Sequence, residues 1–271
     1  MYSVPEEFHI RLHHCRPRFK DNIENVLLFV SSEICCIGQK SNADFTRKLN
    51  SALIRFPGNS EKAIKTINNW RTEISSLLGL IEYHNDGTSS PSEMAKILDA
   101  EQDLIKFFRY FCFKFQYPGG HLKPKHTYDL LSKQVRFKPA PYILRVLKEG
   151  AKVTEREFGI SKEEATHCIF NDLRVVRDHR LKEDTLSLIL ENRSNNLEYD
   201  SSGDVIRYAG DILDYMVLAN IVTKRPNGRY YPKTHEVEVI DSYLNDDKYF
   251  PLYEPFYGDP ELTVQMVSDT Q

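Results

Sequence analysis

Residues 61–81, EKAIKTINNWRTEISSLLGLI, constrain the fold more than any other stretch of the chain. Ile67, Trp70, Ile74, Leu77, Leu78 and Ile81 recur at helical spacing, which predicts an amphipathic helix with one face against a core. Lys65, Asn68, Asn69, Thr72 and Ser76 share the opposite face, and Arg71 flanks them. Taken alone, such a face is most simply a solvated one. Its residue types are also those that read base edges, because Arg pairs with the two acceptors of guanine, Asn with adenine and Thr with either.

The residues on both sides favour the second reading. Ser41 or Asn42 caps a predicted helix over 43–56, with Phe45, Leu49, Ala52, Leu53 and Phe56 as its buried stripe. Pro57-Gly58-Asn59 then turns the chain sharply and Ser60 caps the helix over 61–81. Helix, short turn and polar-faced second helix is the helix-turn-helix order, in which the second helix enters the major groove. An apolar helix is predicted over 21–34, and Asn85-Asp86-Gly87 marks a hairpin that would be the wing of a winged helix. Residues 103–115 form a helix rich in phenylalanine, hydrophobic nearly all round and suited to lie between layers; a stacking platform for single strands is the alternative.

The segment 116–141, QYPGGHLKPKHTYDLLSKQVRFKPAP, carries the Pro and Gly residues of a connector. A second unit follows. Short helices are predicted over 142–149, 162–172 (capped by Ser161) and 179–193, then a longer one over 204–220. Residues 221–231 form two strand-like arms around Pro226-Asn227-Gly228, with Lys224, Arg225 and Arg229 at the tip. The expected fold is mainly α with small β-hairpin wings, as two tandem winged-helix subdomains. The first spans 1–115 with an N-terminal basic arm, 116–141 is a basic connector, and 142–271 holds the second with a C-terminal tail.

Charge is segregated along the 271 residues. The net charge is −3, yet 9–20 carries Arg11, Arg16, Arg18 and Lys20 with His9, His13 and His14 and no acid. Between Lys106 and Lys148 ten Lys or Arg face Asp129 alone. Such a distribution steers a polyanion to one side of the molecule. The arm, broken by Pro17, reads as irregular and unordered until a phosphate-lined groove orders it. Five cysteines without a C-x-x-C pair suggest reduced thiols, neither disulfides nor zinc. With no apolar run of membrane-spanning length and no signal-peptide core, a cytoplasmic protein without a membrane partner is expected.

RTEISSLLGL (71–80), CFKFQYP (112–118) and PYILRVL (141–147), in this order and spacing, resemble the DNA-recognition part of Type IIS restriction endonucleases of the BpuJI kind. The likeness runs from Cys15-Arg16-Pro17-Arg18 to Tyr243 and the tail around Phe256-Tyr257-Gly258, with a weaker similarity to related nicking enzymes. It implies two winged-helix subdomains that clasp a short asymmetric duplex site as a monomer. It also implies that cleavage belongs to a separate C-terminal nuclease domain of the PD-(D/E)xK type, or to a separate cleavage subunit. No strand-borne Asp followed by Glu-x-Lys, HNH set or phosphate-binding Gly-rich loop occurs in this sequence. The chain is therefore expected to be non-catalytic, with no metal ligand or cofactor of its own and Mg2+ needed only by the nuclease part.

The expected DNA-binding residues are Arg11, His13, His14, Arg16, Arg18 and Lys20 in the arm, and Lys65, Asn68, Asn69, Arg71 and Thr72 on the reading helix. Lys114, Lys123 and Lys125 are expected to contact DNA from the middle of the chain, and Arg207, Lys224, Arg225 and Arg229 from the second unit. A winged-helix transcription regulator, normally a dimer on a palindrome, and an interaction module using the aromatic helix are the alternatives.

Overall fold

The computed structural model describes residues 1–12, 15, 23–56, 64–119, 121–201 and 206–245. The turn at Pro57-Gly58-Asn59, the Ser60 cap, the first residues of the expected helices at 21 and 204, and the tail around Phe256 lie outside the described residues. The chain divides into two compact units, Pro17–Phe107 and a second made of Met1–Arg16 with Phe108–Gln271.

In the unit Pro17–Phe107 the order is α1 (Ile23–Ile37), β1 (Lys40–Ser41), α2 (Asn42–Arg55), α3 (Ile64–Thr72), β2 (Ile81–Tyr83), β3 (Thr88–Pro91) and α4 (Glu93–Glu101). Ser41 caps α2, its Oγ accepting from the Asp44 amide at 3.3 Å, and Phe45, Leu49, Ala52 and Leu53 are buried as the stripe predicts. β3 is the central strand, antiparallel to both β1 and β2. Helix, short strand, two helices and a hairpin whose far arm pairs with that first strand is the winged-helix arrangement.

The long helix expected over 61–81 is shorter. After Thr72 it widens into a π-helical turn, Glu73–Leu77, in which the Leu78 amide reaches back to Glu73 O at 3.1 Å. Ile67, Trp70, Ile74, Leu77 and Leu78 are all buried, as the predicted stripe requires, and the wide turn falls within that stripe. Gly79, at φ +65°, ends the helix, and Ile81 opens β2 instead of continuing the stripe. Helix α4 was not foreseen, although Ser92 caps it and Ala95 and Leu98 are its buried positions.

α5 (Leu104–Lys114) crosses the boundary between the units. Phe107, Phe108, Phe111 and Cys112 are buried while Ile105 and Tyr110 are exposed, so the helix is two-sided and its buried rings form no platform.

In the second unit follow α6 (Pro124–Ser132), α7 (Pro139–Thr154), α8 (Lys162–Ala165), α9 (Leu173–Val176), α10 (Lys182–Ser194), α11 (Arg207–Leu218), β4 (Val222–Lys224), β5 (Tyr230–Pro232) and α12 (Val237–Leu244). α8 runs into a second π-helical turn, Thr166–Phe170. β4 pairs with β5, and Ile160, between α7 and α8, bridges Tyr230 of β5 in antiparallel sense. The strand relations therefore repeat those of β1, β2 and β3, with α7, α8 and α11 in the places of α1, α2 and α3. The sequence expects two winged helices, and both are present, the second enlarged by α9 and α10.

Residues 116–141, expected as a connector, are folded: Tyr117 and Phe137 exchange backbone hydrogen bonds of 2.8 and 3.1 Å, and both rings are buried among Phe115, Tyr142 and Phe170. Pro139 and Pro141 stand in the first turn of α7, where a missing N–H costs no hydrogen bond, so the helix is sixteen residues long instead of the short 142–149. The described part of the arm is also ordered. The Tyr2 amide donates to Glu198 O and the Ile10 amide to Asn171 O, while Val4, Ile10, Leu12 and Cys15 are buried. Ile10 and Leu12 alternate with Arg11 in strand-like fashion, an apolar signal masked by the charges around it. All five cysteines are unpaired, and no helix among the described residues is long and apolar enough to cross a membrane.

The second hairpin is fastened by a buried carboxylate. Glu164, whose side chain is 3% exposed, accepts from Arg193 Nε and Nη2 at 2.8 Å, from Arg229 Nη1 at 2.7 Å and from the Ser161 amide at 2.9 Å. Burial opposes its ionisation, but Arg193, the Ser161 amide and Arg229 outweigh burial and hold the carboxyl below its ordinary value. A depressed folded-state value contributes stability above the unfolded value, about pH 4.3, and that contribution is lost as pH falls through the folded one. Glu164→Gln should cost on the order of 3 kcal/mol at pH 7 in urea unfolding and flatten part of the acid limb below about pH 4.3. An unchanged acid limb would contradict this assignment. Gly150 is buried in α7, and a Cβ there would stand 2.2 Å from Cδ1 of Phe158. Gly150→Ala should therefore cost about 1–3 kcal/mol, read as a lower urea midpoint; a midpoint equal to that of the wild type would contradict the packing.

Candidate nucleic-acid interface

α3 offers the clearest candidate surface. Ile67 and Trp70 anchor its inner side, so the residues between them are carried outward. Asn69 and Thr72 are exposed, and Asn68 and Arg71 are half-buried. Arg71 Nη1 donates to Asn68 Oδ1 at 3.1 Å and to Asn50 Oδ1, on α2, at 2.9 Å. Thr72 Oγ1 donates to the Asn68 carbonyl at 3.2 Å. Lys65 belongs to α3, but its side chain lies outside the described residues. Asn68, Asn69, Arg71 and Thr72 thus share one helical surface, and Asn50 joins them from the neighbouring helix. Asn50 was missed by the sequence reading, because its only signal was a polar residue beside Leu49 on a helix whose partner face was unknown.

The first wing carries no Lys or Arg between Ile81 and Pro91. Asp86 Oδ1 accepts from the Thr88 amide and hydroxyl at 2.9 and 2.6 Å, and these bonds hold its carboxyl below the ordinary value. An ionised aspartate at the tip repels phosphate, so this wing sets the turn geometry and supplies no cation.

The cations of the second unit divide into engaged and open ones. Arg229 is committed to Glu164 and also donates to Gly159 O at 3.3 Å, which places it behind the hairpin and not at its tip. Arg225 pairs with Glu157 at 2.6 Å and lies 4.2 Å from the centroid of the Tyr231 ring. Lys224 is exposed, 5.6 Å from the Tyr230 centroid, and forms no ion pair among the described residues. Lys123 and Lys125 are exposed at the start of α6, likewise without an ion pair among the described residues. Burial, and after it the charge of Lys123, holds His126 below its ordinary value against the opposing pull of Asp129. Lys114 is half-buried, 5.9 Å from the Tyr110 centroid.

Arg11 is exposed and joined to α11: Nη2 donates to Tyr208 OH at 3.1 Å, and the guanidinium lies 5.2 Å from the ring centroid. Arg207 is the first residue of α11 and also exposed, and the first turn of that helix holds no acid. Arg11 and the start of α11 are therefore brought together, at a helix end whose amide dipoles favour an anion. His13, His14, Arg16, Arg18 and Lys20 lie outside the described residues. Among the described residues, no group of three His, Cys, Asp or Glu stands close enough to hold a metal ion.

Comparison with known proteins adds the family. The family model described as "Restriction endonuclease BpuJI - N terminal" matches residues 2–271. A solved structure of the BpuJ1 endonuclease binding domain, in complex with pyrene- and phenanthrene-modified DNA, shares the fold with a TM-score of 0.85. It is 24% identical, over 97% of this chain and 98% of that one. A comparison with curated proteins finds no match. On the family match along nearly its whole length, the chain belongs to the BpuJI N-terminal family of restriction endonucleases.

Proposed function

We propose that this chain is the target-recognition module of a Type IIS restriction endonuclease, binding double-stranded DNA in a sequence-specific manner. It acts in the cytoplasm as a monomer on a short asymmetric site. Cleavage then rests with a nuclease domain or subunit outside these residues, which would supply the Mg2+ chemistry. The observation that carries the reading is α3: a helix-turn-helix second helix with Asn69 and Thr72 exposed and Arg71 fixed in place. The family and a fold relative held on DNA support it.

In this mechanism α3 enters the major groove and reads base edges. Lys123 and Lys125, Lys224, and the pair Arg11 and Arg207 neutralise phosphates, which supplies affinity and register without sequence information. The second winged helix reads a further part of the same site through α11 and its hairpin. Two different readers in one chain favour an asymmetric sequence, whereas a dimeric regulator repeats one reader and favours a palindrome.

Selection from a pool of randomised duplexes, with and without Mg2+, should recover one asymmetric sequence and leave it uncut. A recovered palindrome would favour the regulator, and cut duplex would place a nuclease within this chain. Lys125→Ala should weaken cognate and random duplexes alike and lower the slope of log K against log salt by about one unit. A slope equal to that of the wild type would remove α6 from the phosphate contacts.

A further inference from the structure

Among the described residues, Arg71 is held from one side only. Its Nη1 donates to Asn50 Oδ1 at 2.9 Å and to Asn68 Oδ1 at 3.1 Å. Each terminal guanidinium nitrogen carries two hydrogens, so the two carboxamide oxygens engage both donors of Nη1. Nη2 and Nε make no hydrogen bond among the described residues. Their N–H bonds run parallel along the opposite edge of the planar group, the geometry that meets O6 and N7 of guanine in a bidentate pair. Asn50 belongs to α2 and Arg71 to α3, so the reading helix and its support each contribute to the same guanidinium.

We propose that Asn50 is a positioning residue for guanine recognition: with Asn68 it fixes Nη1 of Arg71 and so presents the Nε–Nη2 edge to one guanine of the duplex site. This rests on the DNA-reading function proposed above. An arginine on a free stem must be ordered when it binds, and holding it beforehand lowers that cost. The arrangement also changes the role of Asn68. A bidentate pair with adenine needs its Oδ1 to accept from the base, but that oxygen is turned to Arg71, which leaves Asn69 as the asparagine open to adenine. A mere fastening of α2 to α3 would require no guanine at any position of the site.

The test uses the duplex recovered by selection with the wild-type protein. Each guanine in it is replaced in turn by 7-deazaguanine, which lacks the N7 acceptor, and affinities are read as ratios to the unmodified duplex. Wild type and Asn50→Asp, which keeps an oxygen acceptor at the position, should each lose about fivefold or more at one particular guanine. Asn50→Leu, close in size but without an acceptor, should lose less than about twofold there. A thermal melt confirms that the variant is folded, and Asn50→Ala takes its place if it is not. Full sensitivity in the folded acceptor-free variant, or a wild type indifferent to every replacement, overturns the proposal and leaves DNA reading intact. A wild type that selects no duplex overturns both.

Discussion

In each unit a short extended segment ahead of the helix pair comes back to the far arm of a hairpin. Ser41 stands opposite Thr88, and Ile160 opposite Tyr230. This pairing fixes the hairpin against the helices, because one strand is continuous with the start of α2 or leads into α8 and the other ends the hairpin. Remove it and the hairpin is a two-stranded ribbon, marginal by itself in water. Around it the two units use different chemistry. The first relies on polar bonds at the strand ends, Ser89 Oγ donating to Asn42 Oδ1 at 2.6 Å. The second uses a buried ion cluster, with Glu164 between Arg193 and Arg229.

That difference separates what the two hairpins offer to a partner. The first tip is an ionised Asp86 bound to Thr88, and it contributes no cation. The second has three basic residues in its sequence, but Arg229 is committed behind it and Arg225 is paired with Glu157, so Lys224 is the one without an ion pair among the described residues. An arginine held by a buried carboxylate contributes to the fold more than to a phosphate, since releasing it would leave Glu164 undercompensated in a low-dielectric site. Charge counted along the sequence therefore overstates the basic surface of this hairpin, while Lys123 and Lys125 on α6 remain open to solvent.

The architecture was legible where a single face was buried. The stripe Phe45, Leu49, Ala52 and Leu53 and the Ser41 cap located α2 closely, and Asn85-Asp86-Gly87 located the first hairpin. It was least legible where proline and glycine served helices instead of loops: Pro139 and Pro141 open α7, and Gly79 stops the reading helix before Ile81. Leu78 and Ile81, buried on either side of Gly79, hid this stop, because their spacing carries the helical stripe on into β2. The candidate surface was legible as a set of residues on one helix, with Asn69, Arg71 and Thr72 on α3. Its organisation was not, because the partner of Arg71 lies 21 positions away on another helix, and no local spacing reports that pairing.

Entry of α3 into the groove is open to direct measurement. Photocrosslinking the protein to its selected duplex, with 5-iodouracil in place of each thymine in turn, locates the nearest protein residues by mass spectrometry. Crosslinks should fall on the α3 peptide, around Asn69 and Thr72, for thymines inside the selected sequence and not for those flanking it. Crosslinks confined to α6 and the second hairpin, with α3 unlabelled at every position, would contradict it.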